Sequence, residues 1–140
     1  MLKKTAIGLL AVLALTACNK KRAPVVGPQR LADTVYFDYN SSVIEDREQQ
    51  VLNKQAAFLA AKKQNVTVEG HCDERGTREY NLALGERRAH AVKSHLEGCG
   101  VPACAVTTTS YGKERPVDNG HNEESWAKNR RAITVFGGGK

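Results

Sequence analysis

The chain has 140 residues, enough for one compact domain with a tail and too few for two ordinary domains. Its 41% apolar content and its visible strand and helix patterns exclude collagen-like, coiled-coil and wholly disordered classes. The formal charge is +6, of which Lys3 and Lys4 supply two in an N-terminal leader; with three Phe and one Trp, the rest is weak evidence for nucleic acid and suits an anionic polymer or a membrane surface equally well.

Met1-Leu2-Lys3-Lys4 is a basic start, and Thr5 to Leu15 is a largely apolar run interrupted by Gly8. At ~1.5 Å per residue that run falls far short of a ~30 Å hydrocarbon core, so it reads as an export signal. Leu15-Thr16-Ala17-Cys18 resembles the bacterial lipoprotein box, in which the signal is cut before a cysteine whose thiol takes lipid. The expectation is a signal peptide over residues 1–17 and acyl chains on Cys18, each buried methylene adding ~0.8 kcal/mol of anchoring. Asn19 follows the cysteine, where the enteric sorting rule places Asp for inner-membrane retention; its presence favours the outer membrane. Residues 19–33, with Pro24, Gly27 and Pro28 and no apolar periodicity, read as a flexible linker, and Lys20-Lys21-Arg22 as a solvated charge run.

Thr34-Val35-Tyr36-Phe37 is β-branched and aromatic and predicts a short strand running into Asp38. From about Glu45 to Lys63, Val51/Phe58 and Leu52/Leu59 repeat seven apart and predict a helix with one apolar stripe. Asn65 to Gly70 alternates as a strand, with Val66, Val68 and Gly70 on one face. After a turn at Gly76, the steps Leu82, Gly85, Ala89, Val92, Leu96 predict a second amphipathic helix ending near Gly98 and Gly100. Val106 to Tyr111 reads as a Thr-rich strand, residues 122–130 as a short helix, and Arg131 to Phe136 as a last strand before a Gly-rich tail at 137–140. This β-α-β-α-β(-α)-β order predicts an α/β two-layer sandwich over residues 34–136, one mixed sheet covered by two main helices, with long crossovers favouring some parallel neighbours.

Four ordered blocks carry a resemblance. They are Tyr36-Phe37-Asp38-Tyr39-Asn40; Gly70-His71-Cys72-Asp73-Glu74-Arg75-Gly76-Thr77, continued by Tyr80-Asn81 and Leu84-Gly85-Glu86-Arg87-Arg88-Ala89; Ser110-Tyr111-Gly112-Lys113-Glu114-Arg115-Pro116; and Asn129-Arg130-Arg131-Ala132. Together they resemble the OmpA-like peptidoglycan-binding domain, and within it the branch of peptidoglycan-associated lipoproteins (Pal), which the lipoprotein box reinforces. Cys72 stands where Thr or Ala is common in that family, and Cys99 and Cys104 are additions.

The resemblance implies non-covalent, non-enzymatic binding of the peptidoglycan peptide stem through its meso-diaminopimelate, without metal or cofactor. It also implies a partnership with the Tol system, above all the TolB propeller, in outer-membrane tethering and division. The free end of diaminopimelate carries an ammonium and a carboxylate on one carbon, so its site needs an anion and a cation side by side. Asp73 and Arg88 match the family's pair, and Phe37, Asp38, Asn81, Leu82 and Arg130 match groove positions. Asp73 and Arg88 are expected to be mostly exposed, so that their replacement spares the fold. Arg87, Glu74 and Glu86 are expected merely to face solvent, and Trp126 to pack.

Other constellations in the sequence compete with this one. His71-Cys72-Asp73 holds three potential metal ligands, but neighbours along a strand point to opposite faces. His95, Cys99 and Cys104 are only loosely zinc-like, lacking a second cysteine pair. A hydrolase could pair Cys72 with His90 or His121, and an OmpA-like lipoprotein could serve a secretion or motor apparatus instead of Tol. With Cys18 acylated, Cys99 and Cys104 are positioned in sequence for a small disulfide loop, leaving Cys72 free and buried.

Overall fold

The computed structural model of the protein describes residues 30–137; the signal segment, Cys18, the first part of the linker and the end of the tail lie outside the described residues. The elements are β1 (Thr34–Tyr36), α1 (Asp46–Lys62), β2 (Val66–His71), α2 (Arg78–Gly98), β3 (Val106–Gly112), α3 (Glu123–Asn129) and β4 (Arg131–Phe136), with a 3-10 turn at Ala103–Ala105. Helix α2 begins where the Thr77 hydroxyl accepts the Tyr80 N–H at 3.2 Å, and α3 where the Asn122 side chain accepts the Ser125 N–H at 2.9 Å. Helix α1 stops at Lys63, whose left-handed backbone turns its N–H back to the Leu59 carbonyl.

The sheet order is β1-β4-β2-β3. β2 and β3 pair in parallel with α2 as their crossover, while β4 runs antiparallel to both β1 and β2. Chain order anticipates the mixed sheet but not the seat of β4, which enters between β1 and β2 and separates the first β-α-β unit. Its residues explain the central place: Ala132 and Thr134 are buried beneath the helices, and Ile133 and Val135 are half-covered on the other face.

Leu52, Ala56 and Leu59 of α1 and Ala89, Val92 and Leu96 of α2 pack on Val35, Val66, Val68, Val106 and Ala132. Each fully buried aliphatic side chain of this kind contributes about 1.5–3 kcal/mol. Val51 and Phe58, read as part of the α1 stripe, are only half-buried, and Phe58 meets Phe136 edge-on at 5.5 Å. Gln55 takes the place on that stripe instead, donating to the Ala32 carbonyl at 2.9 Å.

Helix α2 lies against the sheet backbone-to-backbone. A Cβ on Gly70 of β2 would stand 1.7 Å from the Gly85 carbonyl oxygen, and one on Gly85 would stand 2.2 Å from Ser110 Oγ. This approach carries Arg88, one turn further along, into the interior.

Cys72 is buried and free, as expected, but the disulfide expected between Cys99 and Cys104 is absent: both are exposed free thiols. The turn after α2 closes through its backbone, with Gly100 N–H to Glu97 O at 2.9 Å and Val101 N–H to Leu96 O at 3.0 Å. Between the two cysteines Val101 enters the core, so the loop wraps a buried side chain, and the Cys99 thiol faces Asn53 Oδ1 at 3.5 Å.

Candidate binding site

The loops leaving the C-terminal ends of β1 and β2 face one another across the first turns of α2, the position where open α/β sheets bind ligands. A small pocket of about 50 Å³ opens there, lined by Tyr39 and Asn40 from the first loop, Asp73, Arg75 and Gly76 from the second, and Tyr80, Asn81, Leu84 and Arg88 from α2. The second loop is held from several sides. Asn81 donates to the Arg75 and Thr77 carbonyls at 2.9 and 3.0 Å, Lys113 to the Gly76 carbonyl at 2.6 Å, and Gly76 turns with φ +97°.

Asp73 and Arg88 line the pocket together, but neither is exposed: Asp73 retains 4% of its surface and Arg88 none. Arg88 donates to three backbone carbonyls, those of Ser41 at 2.8 Å, His71 at 2.8 Å and Asp38 at 3.1 Å. It thereby ties the loop after β1 to the end of β2. The expectation that Arg88 is mostly exposed is therefore corrected: it is buried, and removing it would leave three carbonyls without their donor.

The ion-pair partners of Asp73 are Arg75 and Arg130 rather than Arg88. Arg75 grips it with Nη2 to Oδ2 at 2.8 Å, Nε to Oδ1 at 3.2 Å and its backbone N–H to Oδ1 at 3.0 Å. Arg130 places Nη1 3.7 Å from Oδ2, and that nitrogen has no hydrogen-bond partner. Burial pushes the Asp73 carboxyl up, but the hydrogen bonds from Arg75 and the charges of Arg75 and Arg130 outweigh it and hold the group below the usual carboxylate range.

The remaining expected residues divide. Asn81 is in the pocket wall, as read from the sequence. Leu82 is not among that pocket's lining residues: its backbone lies against Gly112, its carbonyl accepts the Ser110 hydroxyl at 2.7 Å, and Leu84 lines the pocket. Phe37, Asp38 and Arg130 line a separate, wider groove with Glu45, Glu48 and Lys128. Phe37 is itself buried, with the Arg88 guanidinium 5.2 Å from its ring centroid, and its carbonyl accepts Arg130 Nε at 2.9 Å.

Arg75, Tyr39, Trp126 and Glu74 also build the site. The Arg75 guanidinium lies between two aromatic rings, 4.0 Å from the Tyr39 centroid and 4.1 Å from that of Trp126. Glu74, expected only to face solvent, accepts Trp126 Nε1 at 3.0 Å and bonds His121 Nδ1 at 2.7 Å, fixing the indole. Tyr39, Asp73-x-Arg75 and Trp126 are far apart in the chain; the first two lie within the family blocks, whereas Trp126 lies outside them and carried no signal in the sequence.

Among the described residues no group of three or more His, Cys, Asp and Glu side chains is placed to hold a metal ion. Cys72 donates its thiol to the Asn81 carbonyl at 3.2 Å, and burial raises its pKa in spite of nearby Arg88, the reverse of what activates a nucleophilic cysteine. No described helix is long and apolar enough to cross a membrane.

Comparison with known proteins matches the OmpA family over residues 36–130. A peptidoglycan-associated lipoprotein of Pasteurella multocida is 45% identical, covering 92% of this chain and 93% of its own length. The one from Brucella melitensis is 50% identical over 77% of this chain, and the match spans about 65% of that relative's length. Among solved structures, the peptidoglycan-associated lipoprotein from Burkholderia pseudomallei is 44% identical with a TM-score of 0.73, covering 75% of this chain and 90% of that one. The C-terminal domain of Helicobacter pylori MotB, 23% identical with a TM-score of 0.69 over 75% of this chain and 84% of that one, shares the fold.

Proposed function

The chain belongs to the OmpA family and, within it, to the peptidoglycan-associated lipoproteins, and from that premise we propose that it binds the peptidoglycan peptide stem at the Asp73–Arg88 pocket. The ligand group is the free end of meso-diaminopimelate. One observation carries the reading: a buried carboxylate and a buried guanidinium line the same small pocket. Asp73 accepts the ligand ammonium. Arg88, after serving three carbonyls, keeps N–H groups for the ligand carboxylate. Arg130 Nη1, unpartnered and close to Asp73, adds positive charge behind it.

The same reading makes residues 1–17 a signal peptide, Cys18 the lipidated start of the mature protein and residues 19–33 its linker. The protein is then a non-enzymatic tether that faces the periplasm from the outer membrane, working with TolB and the rest of the Tol system during division. Membership of the family and the lipoprotein box support this; the pocket bears only on the wall.

The ligand can be edited to test it. Sacculi carrying diaminopimelate should retain the protein, whereas walls with lysine at that position keep the ammonium, lose the carboxylate and should bind roughly ten- to a hundredfold more weakly. Equal retention by both walls contradicts the assignment.

A further inference from the structure

We propose that Arg75 is a built-in competitor for the ligand's cation: its guanidinium fills the cation position at Asp73 until an ammonium displaces it, and it thereby sets how tightly the site binds. The inference rests on the reading of Asp73 as the ammonium acceptor.

Three features of the pocket support it. First, both carboxylate oxygens of Asp73 are taken by Arg75, at 2.8 Å through Nη2 and 3.2 Å through Nε. A ligand ammonium cannot reach that carboxylate at hydrogen-bond distance on the same side without moving the guanidinium. Second, Arg75 is the outer member of the pair: its side chain is 29% exposed and that of Asp73 5%. The carboxylate is thus covered by a cation that can leave, while Arg88 and Arg130, fixed to backbone carbonyls, cannot. Third, the guanidinium has somewhere to go. The Glu123 carboxylate stands 3.9 Å from Arg75 Nη2, is 67% exposed, and is anchored by Arg130 Nη2 at 2.8 Å. A short swing from Asp73 toward Glu123 keeps Arg75 ion-paired beside Trp126 as the ligand enters.

The Tyr39–Trp126 sandwich then serves as a cation cage occupied from within. A site that must first release its own cation shows an affinity reduced by the fraction of time it stands open. It also rejects neutral ligands, which cannot replace the guanidinium's charge at Asp73.

The test is calorimetric titration of the folded protein with a soluble stem tripeptide ending in meso-diaminopimelate. Wild type, Arg75→Gln, Arg75→Ala and Asp73→Asn are compared, with circular dichroism to confirm each fold. Arg75→Gln and Arg75→Ala should bind about three- to thirtyfold more tightly than wild type. Trp126 is the sole tryptophan, so its emission should change on saturation of wild type and much less in Arg75→Gln. Binding by the Arg75 variants that equals or falls below wild type, while Asp73→Asn loses it, overturns the competitor role and leaves the proposed site standing. Binding by Asp73→Asn at wild-type strength, or no binding by any of the four proteins, overturns the site and the competitor with it.

Discussion

The two ends of the α/β sandwich are held together differently. Around Leu52, Leu59, Val66, Val68, Val92 and Leu96 the helices meet the sheet through aliphatic side chains that share the burial among many neighbours. At the end where the β1 and β2 loops face α2, the interior is polar: Arg88, Arg130, Arg131, Asn81 and Asn129 are all buried. Each of the five donates to backbone carbonyls of loops. Hydrophobic burial is non-directional and tolerates exchange of similar side chains, whereas a guanidinium fork on named carbonyls does not. The apolar end gives the domain its stability, and the polar end gives its loops one geometry.

The largest expected effect breaks the polar end. Arg88→Ala should destabilise the domain by about 4 kcal/mol in urea unfolding, because three carbonyls lose their donor at once, that of His71 in a fully buried bond. Leu96→Ala is its counterpart at the apolar end and should cost about 3 kcal/mol. A cost for Arg88→Ala below about 1 kcal/mol would mean that the carbonyls find water after all.

The seam between the ends is next. Gly70→Ala should cost about 3 kcal/mol, since its Cβ falls on the Gly85 carbonyl, a backbone atom that cannot swing aside. Thermal unfolding of that variant at wild-type temperature would contradict the close approach.

How much of each end was legible follows from the same contrast. Periodicity reads aliphatic faces, so both long helices and every strand were found to within a residue or two, with α2 ending at Gly98. Periodicity cannot say which strand lies beside which, and the insertion of β4 between β1 and β2 became visible only in the fold. At the polar end, motif blocks named Asp73, Arg88 and Asn81 correctly as neighbours in one pocket. They did not show that Asp73 pairs with Arg75 and Arg130, since a motif records positions and not which nitrogen meets which oxygen. Leu84 rather than Leu82 lines that pocket, because residues two apart on a helix face different ways. The spacing of Cys99 and Cys104 leaves a bridge open; both are free thiols, and Val101 between them is drawn into the core.

A titration sharpens the comparison further. His71 is buried against Tyr111, and burial, then the charges of Arg131 and Arg115, lower its pKa to about 4 from 6.5. As pH falls below 6.5 the unfolded chain takes up a proton that the folded protein refuses until about 4, so folding stability declines across that window. The loss should approach about 3 kcal/mol, and His71→Gln should flatten that part of the pH–stability curve. Parallel curves for the two proteins would contradict it.

The smallest effect is expected at Arg87, next to Arg88 in sequence but exposed on the outer face of α2. Arg87→Ala should change stability by less than about 0.5 kcal/mol and leave sacculus binding unchanged. A large effect there would shift the binding face around the helix.

The proposed function places the hold on the cell wall at one buried carboxylate of the polar end, and a single substitution tests it most directly. Asp73→Asn keeps the side chain's size and part of its hydrogen bonding while removing the charge. With the fold confirmed by circular dichroism, its retention on diaminopimelate sacculi should fall roughly ten- to a hundredfold below that of wild type. Retention by Asp73→Asn equal to wild type would contradict the account.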